Sequence, residues 1–184
     1  YEELLTMAKS ENIVAIGETG LDYFYSADTK DVQLTSFVDH IKVANELNKP
    51  LIVHTRDARH DTISLLKEHK APHTRGVLHC FTEDWEMAQA AIELGFYISI
   101  SGIVTFKSAQ ALQEVVKKIP LESLLIETDS PWLAPVPYRG KQNQPGYVRE
   151  VGEFIAQLKG ISVNELAKAT THNFYTLFNI PRTA

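Results

Sequence analysis

Apolar and polar positions alternate along this chain in two rhythms. Five short apolar runs recur: NIVAIGETG (Asn12–Gly20), KPLIVHTRD (Lys49–Asp57), RGVLHCFTED (Arg75–Asp84), FYISISGIV (Phe96–Val104) and LLIETDSPWLAP (Leu124–Pro135). Between them, apolar residues return at three- and four-residue spacing, the period of one helix face. The first such stretch runs from about Lys30 to Leu47, with Val32, Phe37, Ile41 and Ala44 as its apolar positions. ARHDTISLLKEH follows the second run. EDWEMAQAAIELG follows the third, with Thr82 as a candidate N-cap and Gly95 as its end. SAQALQEVVKKIP follows the fourth, with Ser108 as cap and Pro120 as stop. After the fifth comes a Pro- and Gly-bearing loop, APVPYRGKQNQPG, and then two helices. The last of these opens on the capping-box pattern Ser162-x-x-Glu165.

Short buried strands alternating with helices predict an α/β fold, a parallel sheet covered by helices. No composition shift or Ser/Gly-rich linker divides the chain, so one domain over 1–184 is expected. In a parallel α/β sheet or barrel, all strand C-termini lie at one rim, and active sites are built there. The ends of the runs therefore carry the chemistry. The first ends in Glu18, the second in His54, the third in His79, the fourth in Ser101-Gly102 and the fifth in Asp129. Each residue taken singly has an ordinary explanation: an acid after a strand often caps the next helix, and a histidine there is often a satisfied core residue. Jointly, two imidazoles and two carboxylates around one hollow suit Zn²⁺, Mn²⁺ or a related divalent ion. Such an ion offsets the cost of burying Asp129. Cys80 follows His79 directly, and strand alternation predicts that it points away from the hollow, toward the helices.

Composition narrows the picture without changing it. The 184 residues are 44% hydrophobic and 22% charged, the balance of a soluble globular protein. The apolar runs are too short to span a bilayer. A net charge of −5 argues against a broad basic surface for nucleic acid, although bound cations can receive a phosphate locally. With one cysteine no internal disulfide can form, so a reducing cytoplasm is the expected compartment. The chain begins at Tyr1 rather than Met and is expected to be a piece of a longer one.

The same residues carry a resemblance. GETGLDY (Gly17–Tyr23), VHTRDA (Val53–Ala58), LHCFTED (Leu78–Asp84), SISGIVTF (Ser99–Phe106) and ETDSPWLAPVPYRGK (Glu127–Lys141) resemble, in order and spacing, the TatD family of metal-dependent hydrolases. The resemblance implies a (β/α)8 TIM-type barrel and two divalent ions, Mg²⁺, Zn²⁺ or Mn²⁺. It also implies deoxyribonuclease activity, several members being 3′→5′ exonucleases, with DNA as substrate and no membrane or obligate protein partner. Glu18 resembles the carboxylate that bridges two metals, and His54 and His79 the ligands of one ion. Asp129 resembles a ligand of the other ion and the partner of the attacking water, so Asp129 and Glu18 are the expected catalytic residues. Arg139 and Lys141 are candidate phosphate contacts, a solvated loop being the alternative. Arg56 could face phosphate or pair with Asp57, and Tyr23, Phe24 or Tyr25 could stack on a base or wall the cleft.

The family opens with a His-x-His motif that this sequence lacks: its histidines stand at 40, 54, 60, 69, 73, 79 and 172. Strands four to eight of the barrel are therefore expected, with at most one tight metal site and little activity in these residues alone. Glu83, where relatives often have Gly, is expected beside the mouth. Two rival functions remain at this level: hydrolysis of a different ester or amide, and a binding or scaffold role without catalysis.

Overall fold

The computed structural model describes residues 1–181, so the last three positions of the expected 1–184 domain lie outside the described residues. The five apolar runs form five strands: β1 (Ile16–Asp22), β2 (Leu51–Arg56), β3 (Gly76–Leu78), β4 (Phe96–Ile100) and β5 (Leu124–Ile126). They pair in the order β1-β2-β3-β4-β5, and every pair is parallel. Parallel neighbours need a crossover, and the helices supply it. These are α2 (Lys30–Leu47), α3 (Arg59–His69), α4 (Trp85–Glu93) and α5 (Gln110–Lys118), followed after β5 by α6 (Val148–Lys159) and α7 (Val163–Phe178). A short α1 (Glu2–Ala8) precedes β1; its two apolar anchors, Leu5 and Ala8, gave too little periodicity to read from sequence.

The two sheet faces are covered differently. Leu51, Val53, Leu78, Ile98, Ile100 and Leu124 pack with Phe37, Ile41, Leu66, Ala88, Val116 and Ile155 of the helices into the main core. The opposite face carries a smaller cluster, Val77, Tyr97 and Leu125 with the α7 tip residue Leu177, flanked by Ile52 and Phe178. Strand alternation makes this second face consequential. Ile52 and His54, Val77 and His79, Tyr97 and Ser99, and Leu125 and Glu127 share it by parity, so the polar members lie beyond the apolar ones toward the C-terminal rim.

Several local expectations are corrected. Val32 is exposed, because the buried stripe of α2 runs through Phe37, Ile41, Val43 and Ala44. The cap of α4 is Asp84, whose carboxylate accepts the Met87 N–H at 2.9 Å, not Thr82. At α5 the N-cap is Ala109 with no side-chain bond, so Ser108 does not cap. Ser162 does cap α7, accepting the Glu165 N–H at 3.1 Å. Asn173 in α7 donates to the carbonyls of Leu121 and Leu124 at 2.7 and 2.8 Å, tying that helix to the start of β5.

Gly76 shows how closely its two neighbouring strands approach it. A Cβ there would lie 2.3 Å from the Phe96 ring and 2.7 Å from the Leu51 carbonyl oxygen. The carbonyl belongs to the β2–β3 ladder and cannot yield. Gly76→Ala is expected to destabilise the protein by about 1–3 kcal/mol or more, read as a lower urea midpoint at unchanged slope.

Candidate metal centre

β1 does not end at Glu18, as the sequence suggested; it continues to Asp22. The register explains why Glu18 still reaches the hollow. Ile16 pairs with Leu51 while Thr19 pairs with Val53, so β1 holds one extra residue between them. That irregularity is a bulge, the usual device for re-aiming a side chain. Gly17 accommodates it: φ is +158°, and a Cβ would come within 2.7 Å of the Ile52 carbonyl.

Glu18 Oε1 stands 2.8 Å from His79 Nε2 and 3.2 Å from His54 Nδ1. Each histidine turns its other nitrogen to a second carboxylate: His54 Nε2 is 3.1 Å from Asp22 Oδ2, and His79 Nδ1 is 3.2 Å from Glu127 Oε1. Asp22 and Glu127 thus fix both tautomers. With Nε2–H of His54 donated to Asp22 and Nδ1–H of His79 donated to Glu127, each ring turns its remaining nitrogen to Glu18; without an ion that nitrogen of His79 also carries a proton, which it donates to Glu18. This is the carboxylate–histidine arrangement that orients metal-binding imidazoles. Glu18, His54 and His79 each offer a ligand atom within 4.8 Å of the others. Two ligands ~2.1 Å from a tetrahedral ion stand about 3.4 Å apart, so the spacing fits a divalent cation.

Asp129 joins through His79. His79, Glu127 and Asp129 form a second group whose ligand atoms lie within 4.8 Å of one another. The sequence reading left any second ion only Glu18 and Asp129; the geometry adds Glu127 beside Asp129. His79 belongs to both groups, and its Nδ1 is already engaged with Glu127, so the first triangle is the better-formed seat.

The electrostatics follow from this crowding. Burial works against a charged His79, but Glu127 and Glu18 outweigh it and push its pKa up to about 9. Glu127 is correspondingly held below the carboxylate range: burial opposes, while His79 and the Ser99 hydroxyl prevail. Asp22 is lowered too, the Tyr25 N–H and His54 overcoming burial. Asp129 moves the other way. Burial raises it, with Glu127 and Glu18 adding to the effect against the pull of His79.

Cys80 corrects an expectation. β3 stops at Leu78, and Cys80 adopts φ +44°, so alternation no longer governs its direction. Its Sγ lies 3.2 Å from the Ser101 hydroxyl, and its thiol also bonds the Asp129 carboxylate. Burial pushes this thiol up to about 12, which makes it a neutral wall rather than a nucleophile.

The candidate substrate residues separate into groups. Tyr23 is tied down: its hydroxyl donates to Asp61 at 2.7 Å, and Lys30, paired to the same carboxylate at 2.8 Å, covers its ring. Base stacking on Tyr23 is thereby replaced by a structural role. Arg56 neither pairs with Asp57 nor stands free; its guanidinium lies 4.1 Å from the Phe24 ring centre and 4.6 Å from that of Tyr25. Arg139 lies 4.1 Å over Phe106, and it lines a cavity with Lys141 and Trp132. Glu83 is paired with Arg59, which also contacts Asp84. Sequence reasoning missed Asp22 and Glu127 as partners of the histidines. The signal was present: each falls at a run's polar end, but a strand shows its own alternation and not the neighbour across the sheet.

Residues 1–179 match the family model described as TatD-related DNase. The uncharacterized metal-dependent hydrolase YcfH of Escherichia coli K12 is 58% identical over 179 residues, covering 97% of this chain and 68% of that protein. The 3′-5′ ssDNA/RNA exonuclease TatD of Escherichia fergusonii is 38% identical over 184 residues, covering 97% of this chain and 71% of that one. Among solved structures, YJJV, a TatD homologue from Escherichia coli K12, superposes with a TM-score of 0.91 at 32% identity, covering 98% of this chain and 70% of that one. The chain belongs to the TatD family of metal-dependent hydrolases. No helix among the described residues is long and apolar enough to cross a membrane.

The pH behaviour of the metal-free protein has a definite sign. His79 is raised in the folded state from 6.5 to about 9. Its contribution to stability is therefore present below pH ~6.5 and lost as the pH rises through about 9. NMR titration of His79 is expected to show this raised value, and Glu127→Gln to lower it. Metal binding must displace that proton, so divalent-ion affinity should increase from pH 6.5 to 9.

Proposed function

We propose that this chain carries the hydrolytic centre of a divalent-metal-dependent phosphodiesterase acting on single-stranded nucleic acid, DNA foremost. The Glu18–His54–His79 triangle carries the reading: one carboxylate oxygen and two imidazole nitrogens at the spacing of a bound cation. The exonuclease name of the Escherichia fergusonii relative supports the substrate class. In this reading the chain is a single domain, and its five parallel strands form an arc of a (β/α)8 barrel whose C-terminal rim is the active face. One cysteine and no disulfide suit a reducing, cytoplasmic setting.

Glu18, His54 and His79 would hold the ion, with Asp22 and Glu127 as positioning residues. A divalent ion supplies a water of lowered pKa and a positive charge facing the phosphate. Asp129, its carboxylate raised by burial and neighbouring acids, would accept the proton from such a water. Arg56, Arg139 and Lys141 would be the cationic contacts to the phosphates of the strand. A second ion, as the family resemblance implies, would draw on Glu18 and Asp129 together with a His-x-His pair that is absent from these residues. Calorimetry on residues 1–184 is expected to give one tight divalent ion per chain; two tight sites would contradict this ligand assignment.

The substrate assignment is tested on the naturally expressed protein with end-labelled single-stranded DNA and Mg²⁺, Mn²⁺ or Zn²⁺. Progressive shortening is expected, abolished by chelation and reduced at least about 100-fold in Glu18→Gln. Asp22→Asn and Glu127→Gln should each weaken metal affinity or activity about 10–100-fold. Hydrolysis of small carboxyl esters or amides, with oligonucleotides left intact under every metal, would sink the phosphodiester reading.

A further inference from the structure

An exposed tryptophan, three residues beyond Asp129, takes no part in the chemistry above. Trp132 is 72% exposed, yet its backbone is held firmly. Its N–H donates to the Asp129 carbonyl at 3.0 Å. The buried Asn143 side chain donates to the carbonyls of Thr128 and Trp132 at 2.8 and 2.6 Å, and its N–H bonds the Pro131 carbonyl at 2.9 Å. One asparagine thereby clamps the segment bearing Asp129 and Trp132 together. The next turn is seated against the fourth strand's exit. Leu133 adopts φ +57°, and its carbonyl approaches where a Cβ on Gly102 would stand only 2.2 Å away. The Val136 N–H bonds the Thr105 hydroxyl at 2.9 Å. Tyr138 and Tyr147 stack at 3.9 Å, bracing the loop further on.

A fixed backbone presenting a large apolar ring to water is costly to leave uncovered and efficient for stacking, because little freedom remains to be lost. The ring borders a cavity of about 530 Å³ whose other walls include Phe106, Leu133, Arg139 and Lys141. Its size falls within the range of ligand sites. Aromatic surface joined to two cations suits one partner above others: a base attached to a phosphate chain. Sequence-tolerant binding of single strands combines such stacking platforms with cationic tracks. We propose that the Trp132 cavity is a nucleobase subsite, holding the base next to the scissile phosphate by stacking on Trp132 while Arg139 and Lys141 receive the adjoining phosphates. The proposal rests on the nucleic-acid reading of the metal centre and names where the strand is gripped.

Two measurements on the naturally expressed protein test it. Glu18→Gln, which should bind without cutting, is irradiated with oligonucleotides carrying 5-bromouracil at successive positions, and cross-linked peptides are mapped by mass spectrometry. A cross-link to Trp132 from the position flanking the cleavage point is expected. Separately, Trp132→Ala should raise KM for an ordinary oligonucleotide roughly tenfold or more, with Trp132→Phe recovering most of the loss. With an abasic site at the flanking position, the same substitution should cost under about twofold, because the stacking partner is already gone. Equal losses with and without the base would mark Trp132 as structural and overturn the subsite, as would cross-links confined to other residues. If oligonucleotides are cut but Trp132→Ala is neutral, only the subsite falls. If small phosphodiesters are cut and oligonucleotides are neither bound nor cut, the nucleic-acid reading falls and the subsite with it.

Discussion

Carboxylates packed near one another in a half-buried hollow repel, and each would take up a proton unless something positive stood between them. At this rim the positive element is His79. Its ring lies between Glu18 and Glu127, one nitrogen toward each, and it is largely shielded from water. The second imidazole repeats the arrangement between Glu18 and Asp22. Glu18 is therefore the common member of two carboxylate–imidazole–carboxylate chains. The protein without an ion offsets the repulsion by protonating a histidine; an ion would replace that proton. Both states draw on the same geometry, which is why the site is built before anything binds.

The backbone does unusual things to achieve this. β1 bulges so that Glu18 turns toward β2 and β3. β3 ends after three residues, and Cys80 then takes a left-handed conformation. Asp129 and Leu133 do the same beyond β5, at φ +57° each. Left-handed non-glycine residues carry strain and persist only where surrounding bonds over-determine them. Here the over-determination is visible: the Asn143 clamp, the Thr105 hydroxyl and the close seat at Gly102 hold the segment from Thr128 to Val136. Regular strands would have carried these side chains past each other; the irregular exits turn them inward.

Much of this was legible in the chain. The five strands and the extent of α2 follow from hydrophobic rhythm, and the rule that strand C-termini gather at one rim brings His54 and His79 together, whereas Glu18 joins them from within β1 through a bulge that the rhythm does not announce. What escaped is what depends on neighbours across space. Asp22 and Glu127 are recognised only once the pairing of β1 with β2 and the shared face of β3 and β5 are known. Cys80 was misdirected because alternation assumes a strand that continues, and β3 does not. Arg56 and Tyr23 found partners in residues that a linear reading leaves unrelated, namely Phe24 with Tyr25, and Asp61 with Lys30. The cap of α4 moved from Thr82 to Asp84, since several polar residues compete there, and α5 starts after Ala109 without any side-chain cap.

The two bonds from Asn173 to the carbonyls of Leu121 and Leu124 have a temporal meaning. They span sequence separations of 52 and 49 residues. A ribosome adds about 5–20 residues per second, so the entrance to β5 waits several seconds for its anchor. Glu127 and Asp129 lie immediately downstream of that entrance. The growing polypeptide thus lacks this tie at the start of β5 until α7 has been made.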